Sequence, residues 1–127
     1  MLNIEIKTIP HDQQRYPTVG DYWIDAKDGK LQIRVSDMGN WRYEALVAFH
    51  ELAEYLQITH QGVSIEEIDR FDIEYESSRG EGDFSEPGDS PLAPYHKAHL
   101  VATDLESVLA MRLGVDWAEY DKAVTEL

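Results

Sequence analysis

The segment FHELAEYLQITH, residues 49–60, has the spacing of a helix, but three ionisable side chains interrupt its apolar residues. Asn40 can cap a helix that begins near Trp41 and runs to about Thr59, and Gly62 ends it. At about 100° per residue, one broad arc of this helix is apolar, and we predict that this arc faces the core. The arc contains Leu46, Phe49, Leu52, Ala53 and Leu56.

The three interrupting side chains are His50, Glu51 and Glu54. His50 and Glu54 are one helical turn apart and lie between the predicted core arc and a second apolar side with Val47 and Ile58. Burying an imidazole and two carboxylates is costly unless something pairs with them, and a cation would do so. Positions i and i+4 place two ligands within reach of one metal ion. The intervening Glu51 can reach a water in an open coordination position and act as its general base.

Two of the five histidines occur together in the segment PYHKAHL. His96 and His99 are three residues apart in the first turns of a helix predicted for 95–113, so their side chains share a face. Two separate helices therefore each present a pair of donors at ligand spacing. The sequence predicts that zinc or another divalent ion is held by His50, Glu54 and one or both of these histidines.

The same residues also allow an interpretation without a metal ion. His50 could be a core histidine bonded to a backbone carbonyl. Glu54 could form an ion pair with Arg42 or Arg112. The two histidines of the second helix could then be surface residues near its N-terminus. The discriminating observation is whether the purified protein contains stoichiometric metal.

Three segments before the 41–59 helix alternate apolar and polar residues, as half-buried strands do, at 2–6, 22–26 and 31–35. The turn Asp28-Gly29 joins the second and third as a β-hairpin. Further helices are predicted at 65–75, 95–113 and 117–127. The sequence therefore predicts an α+β fold, in which a small antiparallel sheet of about three strands precedes about four helices. We expect residues 1–127 to form a single domain.

Charge is distributed unevenly along the chain, whose formal net charge is −14. Residues 66–90 contain ten acidic and two basic side chains. The segment 77–94 is predicted to be a long acidic loop that leads into His96 and borders the site. Such a chain should be repelled by phosphate groups, so we expect no direct nucleic-acid binding, whereas a basic protein partner would fit.

The composition also limits the location of the protein and its metal chemistry. There is no cysteine, which excludes disulfides and thiolate ligands. No apolar run approaches the roughly 18 residues that a membrane-spanning helix needs. The first residues form a strand pattern and not a signal peptide. We therefore expect a soluble, cytoplasmic protein.

A hairpin followed by AFHELAEYL resembles the core of the zincin metallopeptidases. In that family two histidine ligands flank a glutamate base on one helix, and a third ligand follows downstream. The resemblance covers about residues 20–60 and implies that His50 and Glu54 are ligands, with Glu51 as base and His99 or His96 as third ligand. Glu54 occupies the position of the second histidine of the family. The implied activity is metal-dependent hydrolysis.

Two other resemblances concern different parts of the chain. The whole chain is similar to small uncharacterised proteins of phage and prophage type, through HELxE, EPGDxPxAPYH and LGVDW. The pairs Glu51/Glu54 and Glu66/Asp69 resemble the ExxE and ExxD of all-α nucleotide pyrophosphohydrolases of the MazG type. That resemblance implies that the four carboxylates hold magnesium against a triphosphate. A further alternative is a non-enzymatic acidic protein that mimics nucleic acid through residues 66–90.

Overall fold

The structure, a computed structural model, describes residues 1–83 and 85–127. Over these residues a three-stranded sheet precedes four helices, which confirms the predicted α+β fold. The strands are β1 (Ile4–Ile9), β2 (Gly20–Ile24) and β3 (Leu31–Ser36). The helices are α1 (Trp41–Gln61), α2 (Ile65–Ser78), α3 (His96–Arg112) and α4 (Trp117–Thr125). Within the described ranges, none of the helices combines the length and apolar character needed to cross a bilayer.

The sheet has the strand order β1-β3-β2 and is mixed, whereas the sequence led us to expect an antiparallel sheet. β2 and β3 form the predicted hairpin, with Tyr22 opposite Ile33. β1 occupies the other edge of β3 and runs parallel to it, with Ile6 opposite Ile33. The connection 10–19 reverses the chain between β1 and β2. Because β3 is antiparallel to β2, a strand that opposes β2 in direction must run parallel to β3.

Both predicted ends of α1 are confirmed. The side-chain oxygen of Asn40 accepts hydrogen bonds from the backbone N–H groups of Arg42 and Tyr43, at 3.0 and 3.3 Å. These bonds satisfy donors that have no partner within the helix. At the other end Gly62 has a φ of 77°, a left-handed conformation that glycine adopts without the strain of a Cβ atom.

The buried face of α1 is not the arc that the sequence predicted. Phe49 and Leu56 are 36% and 48% exposed, so the prediction was wrong for these two residues. The buried residues of α1 are instead Leu46, Val47, Ala48, His50, Glu54 and Ile58. Hydrogen bonds satisfy the polar groups on this face, so their desolvation does not prevent burial.

α3 packs antiparallel to α1. Near the end of α1, Gln57 donates a hydrogen bond to the backbone carbonyl of Ala98, at the start of α3, over 3.0 Å. Earlier in α1, His50 contacts Glu106, which lies towards the end of α3. Small side chains on the buried face of α3 permit this close packing. They are Ala98, Ala102 and Ala110.

β2 approaches α1 closely at Gly20. A Cβ atom at this position would lie 2.6 Å from Oε1 of Glu51 and 2.7 Å from Cγ1 of Val47. A larger residue would therefore have to displace side chains of α1. The absence of a side chain at Gly20 allows the Glu51 carboxylate to lie directly against the sheet.

We expect Ile58→Ala to lower the free energy of unfolding by about 2–5 kcal/mol, because Ile58 is only 1% exposed. Ile73→Ala on α2 is the matched control, since Ile73 is 55% exposed, and it should change stability by less than about 1 kcal/mol. Urea denaturation followed by circular dichroism measures both variants. Equal losses would show that the buried face of α1 has been assigned incorrectly.

Candidate metal centre

A cavity of about 690 Å³ lies between the sheet, the helices and the segment that precedes α3. This volume is within the range of small-molecule sites, which is roughly 300–1,000 Å³. The cavity wall includes five ionisable side chains of α1 and α3, namely His50, Glu51, Glu54, His99 and Glu106. Their arrangement determines what the cavity can bind.

Three donor atoms from α1 and α3 converge at one point of this wall. Nε2 of His50 lies 3.1 Å from Oε2 of Glu54 and 3.2 Å from Nδ1 of His99. The third distance, from Nδ1 of His99 to Oε2 of Glu54, is also 3.2 Å. Bonds of about 2.0 Å to a tetrahedral ion separate neighbouring ligand atoms by about 3.3 Å. The triangle already has nearly the dimensions of a zinc ligand set, and all three residues are buried.

A carboxylate behind His50 fixes the orientation of its ring. Nδ1 of His50 is 2.7 Å from Oε1 of Glu106, and the other oxygen of Glu106 accepts a hydrogen bond of 2.5 Å from the hydroxyl of Tyr120. With the N–H group on Nδ1, the lone pair of Nε2 points into the triangle. A carboxylate partner of this kind is the usual support of a metal-binding histidine.

Glu54 and His99 have supports of their own. The hydroxyl of Tyr22 donates a hydrogen bond of 2.8 Å to Oε1 of Glu54, which leaves Oε2 for the triangle. Nε2 of His99 lies 3.2 Å from carboxylate oxygens of both Glu86 and Asp89. These contacts place the N–H group of His99 on Nε2 and direct Nδ1 inwards. Every donor of the triangle is therefore held from behind by a different part of the chain.

His96 does not join the triangle, whereas the sequence predicted that one or both of His96 and His99 are ligands. Its Nδ1 is 2.9 Å from the backbone carbonyl of Gly88, in the short 3₁₀ turn Pro87–Asp89. The backbone of Gly88 packs against the other histidine, since a Cβ atom there would lie 2.5 Å from Nδ1 of His99. His96 thus anchors the turn that supports the ring of His99.

The protonation of the triangle follows from its geometry. Burial opposes a charge on His50, but its hydrogen bonds to Glu106 and Glu54 outweigh this effect and raise its pKa well above the usual range. Burial likewise opposes a charge on His99, yet the hydrogen bonds to Glu54 and Glu86 raise its pKa to about 10. Burial would raise the pKa of Glu54, but the two histidines lower it to about 2. The shared carboxylate of Glu54 therefore favours a positive charge on both imidazoles.

Glu51 has a different environment, although it lines the same cavity. Burial, followed by the nearby charge of Glu54, raises the pKa of Glu51 well above its usual range. Across the described part of the chain, no residue forms a hydrogen bond with its carboxylate. The structure therefore leaves Glu51 free to interact with a bound molecule.

Three side chains that complete the site had been given no role from the sequence. Glu106 is seven residues after His99, two turns further along the same face of α3, so periodicity offered a signal for it. Tyr22 and Tyr120 lie on β2 and α4, and no spacing relates them to His50, Glu54 or His99. The acidic loop was expected to border the site, and Glu86 shows how it does so.

The residues of the alternative magnesium arrangement lie in different surroundings. Glu51, Glu54 and Asp69 line the cavity, whereas Glu66 is exposed and does not belong to its wall. Asp69 pairs with Arg15 over 3.3 Å. The four carboxylates are therefore less well assembled for a cation than the histidine-containing triangle.

Comparison with known proteins yields no relative from which a function could be taken. No family model, curated protein or solved structure matches the chain. The chemistry of the site alone must therefore support any assignment of function.

We expect His50→Ala and Glu54→Ala each to weaken zinc binding more than about a hundredfold, since loss of even an outer partner of a ligand costs about 10–100-fold. His60→Ala, at the exposed end of α1, is the matched control and should keep the wild-type affinity. Calorimetric titration measures the dissociation constant. Full affinity in His50→Ala would exclude the triangle as the binding site.

Because the ion would join α1 to α3, we also expect zinc to stabilise the wild-type fold. An excess of a thousand times the dissociation constant should raise the free energy of unfolding by about 4 kcal/mol.

Zinc affinity should also rise with pH. The pKa of His99 is raised to about 10, so at lower pH a bound ion must displace a proton from its ring. Each displaced proton changes the affinity by about tenfold per pH unit. Competition with a chromophoric chelator between about pH 6 and pH 8, corrected for protonation of the chelator, measures the slope. An affinity that does not change over this range would mean that these histidines are not ligands.

Proposed function

We propose that this protein is a divalent-metal-dependent hydrolase in which His50, Glu54 and His99 hold zinc or a similar ion. The observation that carries the proposal is a set of three buried donor atoms 3.1–3.2 Å apart, each with a separate support behind its side chain. Two or more histidines with a carboxylate are a common ligand set of catalytic zinc, which keeps a further position open for water.

A metal ion accounts for this arrangement better than hydrogen bonds alone. Both imidazoles direct a ring nitrogen at the same oxygen of Glu54, and these two nitrogens are only 3.2 Å apart. When both rings are protonated, two like charges face each other across this distance. A single divalent ion would replace two protons and give all three donor atoms one common partner.

Glu51 fits the role of general base. It follows His50 directly in α1, lines the cavity and lies against Gly20 of β2. Burial raises the pKa of Glu51, and a higher pKa makes its carboxylate a stronger base. A positive ion at the triangle would favour the ionised form of Glu51, so the base would be available when the site is loaded.

The chemistry would be shared between the ion and the chain. A bound zinc ion supplies a Lewis acid and lowers the pKa of a water in its open position. Glu51 would accept a proton from the attacking water and pass it to the leaving group. Tyr22 and Glu106 would hold the side chains of Glu54 and His50 in their orientations during this step. The resemblance of residues 48–56 to the active helix of zincins supports the same division of roles.

A second candidate function is the binding of a basic protein partner. Its supporting observation is the acidic outer surface of α2, where Glu66, Glu67 and Glu74 are exposed and are not used by the metal centre. Attraction of this kind is screened by salt, so such binding should weaken steeply as ionic strength rises. Zinc affinity at the buried triangle should change far less.

We expect Glu51→Gln to retain zinc and the wild-type melting temperature while turnover falls by about a hundredfold or more, the usual contribution of a positioned base. Glu74→Gln, an exposed glutamate on α2, is the matched control and should leave turnover unchanged. The assay requires panels of peptides, nucleotides and phosphodiesters with the zinc-loaded protein.

Two outcomes would contradict this mechanism. Loss of zinc from Glu51→Gln would make Glu51 a ligand and favour a carboxylate-rich site. Full turnover in the same variant would show that catalysis does not involve this residue.

A further inference from the structure

An apolar face, exposed in part, runs along α1 and α3 on the side away from the cavity. On α1 its residues are spaced by four, three and four positions, and they are Ala45, Phe49, Leu52 and Leu56. Ala45 and Leu52 are only partly exposed, and Leu52 also packs against the core. On α3 the spacing is four and three, and the residues are Val101, Leu105 and Val108. This alternation of three and four is the spacing of a helix-packing seam. We call these seven residues the outer face.

Both parts of the outer face lie on the same side of the helix pair. α1 and α3 are antiparallel, and both direct ionisable side chains to the cavity side of the pair, namely His50, Glu54, His99 and Glu106. At about 100° per residue, each apolar row lies roughly 150° around its own helix from these contacts. The two rows therefore flank the α1–α3 seam on the opposite side of the pair and form one continuous surface.

The charges around the outer face differ from those of the chain as a whole. The chain has a formal net charge of −14. The acidic residues of α1, Glu44, Glu51 and Glu54, point away from this face on the helical wheel. Its exposed charged neighbours on the two helices are Arg42, Lys97, Asp104 and Arg112, most of which are basic. Two copies of an acidic chain repel each other least where acidic groups are absent.

We propose that two copies of this chain associate through the outer face. Five of its side chains, Phe49, Leu56, Val101, Leu105 and Val108, are between 36% and 59% exposed. At about 150–200 Å² for a fully exposed Val, Leu or Phe residue, they offer roughly 350–450 Å² of apolar surface per copy. A standard interface buries about 800 Å² per partner, about 65% of it apolar in homodimers. The outer face thus supplies most of the apolar area of a standard dimer interface.

A second copy is the occupant whose apolar rows match in length and spacing. A two-fold axis through the outer face would bring both α1 helices and both α3 helices together as a four-helix bundle. Rows with alternating spacings of three and four pack at about 20°, the usual crossing angle in such bundles. The metal centres would lie on the far sides of the bundle, so the proposal does not depend on the proposed hydrolase function.

Sedimentation equilibrium of the full chain at micromolar concentration tests this inference, with and without a chelator. The expected mass is twice the 14.6 kDa of one chain. Leu105→Glu and, separately, Val108→Glu would place like charges in the interface. Each should raise the dissociation constant at least about a hundredfold, which corresponds to about 2.8 kcal/mol. Ile73→Glu is the control, because Ile73 is equally exposed but lies on α2.

The expected result is a dimer for the wild type and for Ile73→Glu, and folded monomers for the other two variants, with folding verified by melting curves. A monomeric wild type would overturn the proposal. A wild type that stays monomeric and binds vesicles of anionic lipid through the outer face would overturn it as well. A dimer that persists in either folded variant would also overturn it. The variants that lose dimerisation are expected to keep their zinc affinity, because the metal centre lies on the other side of the helix pair.

Discussion

The burial of four ionisable side chains between α1 and α3 is the constraint on which the other contacts of the structure depend. His50, Glu54, His99 and Glu106 would each be costly to bury alone, because desolvation of a charge exceeds what a single pairing returns. Together they satisfy one another through directional contacts of 2.7–3.2 Å. Apolar packing against small alanines would tolerate sliding of the two helices, whereas these contacts hold only in one register.

Two further elements and a turn are attached to this network from outside. β2 contributes Tyr22 to Glu54, and α4 contributes Tyr120 to Glu106. The turn before α3 supports His99 through Glu86 and the backbone of Gly88. Each hydroxyl or carboxylate satisfies a buried atom and, by the same bond, positions an element relative to α1 and α3. The fold and the geometry of the site are therefore maintained by the same contacts.

The parts of this arrangement that depend on local chemistry could be predicted from the sequence. Asn40 and Gly62 marked the ends of α1, and the spacing of His50 and Glu54 indicated a shared face. The choice between His96 and His99 could not be made, since both have ligand spacing and the turn Pro87–Asp89 alone distinguishes them. Local sequence patterns also could not predict the direction of β1 relative to its neighbour, because that direction depends on the edge of the sheet at which β1 pairs.

The misassigned face of α1 has a physical explanation. A helical wheel weighs apolar content, and the side of α1 with Phe49 and Leu56 is more apolar than the buried side that carries His50 and Glu54. A single exposed leucine is unremarkable on a protein surface. A row of apolar residues with the regular spacing of a helix-packing seam is unusual on a surface, above all when a matching row continues it on the neighbouring helix. The apolar pattern of α1 therefore reflects two environments: a polar interior that faces the cavity, and an apolar outer face, which we propose is covered by a second copy of the chain.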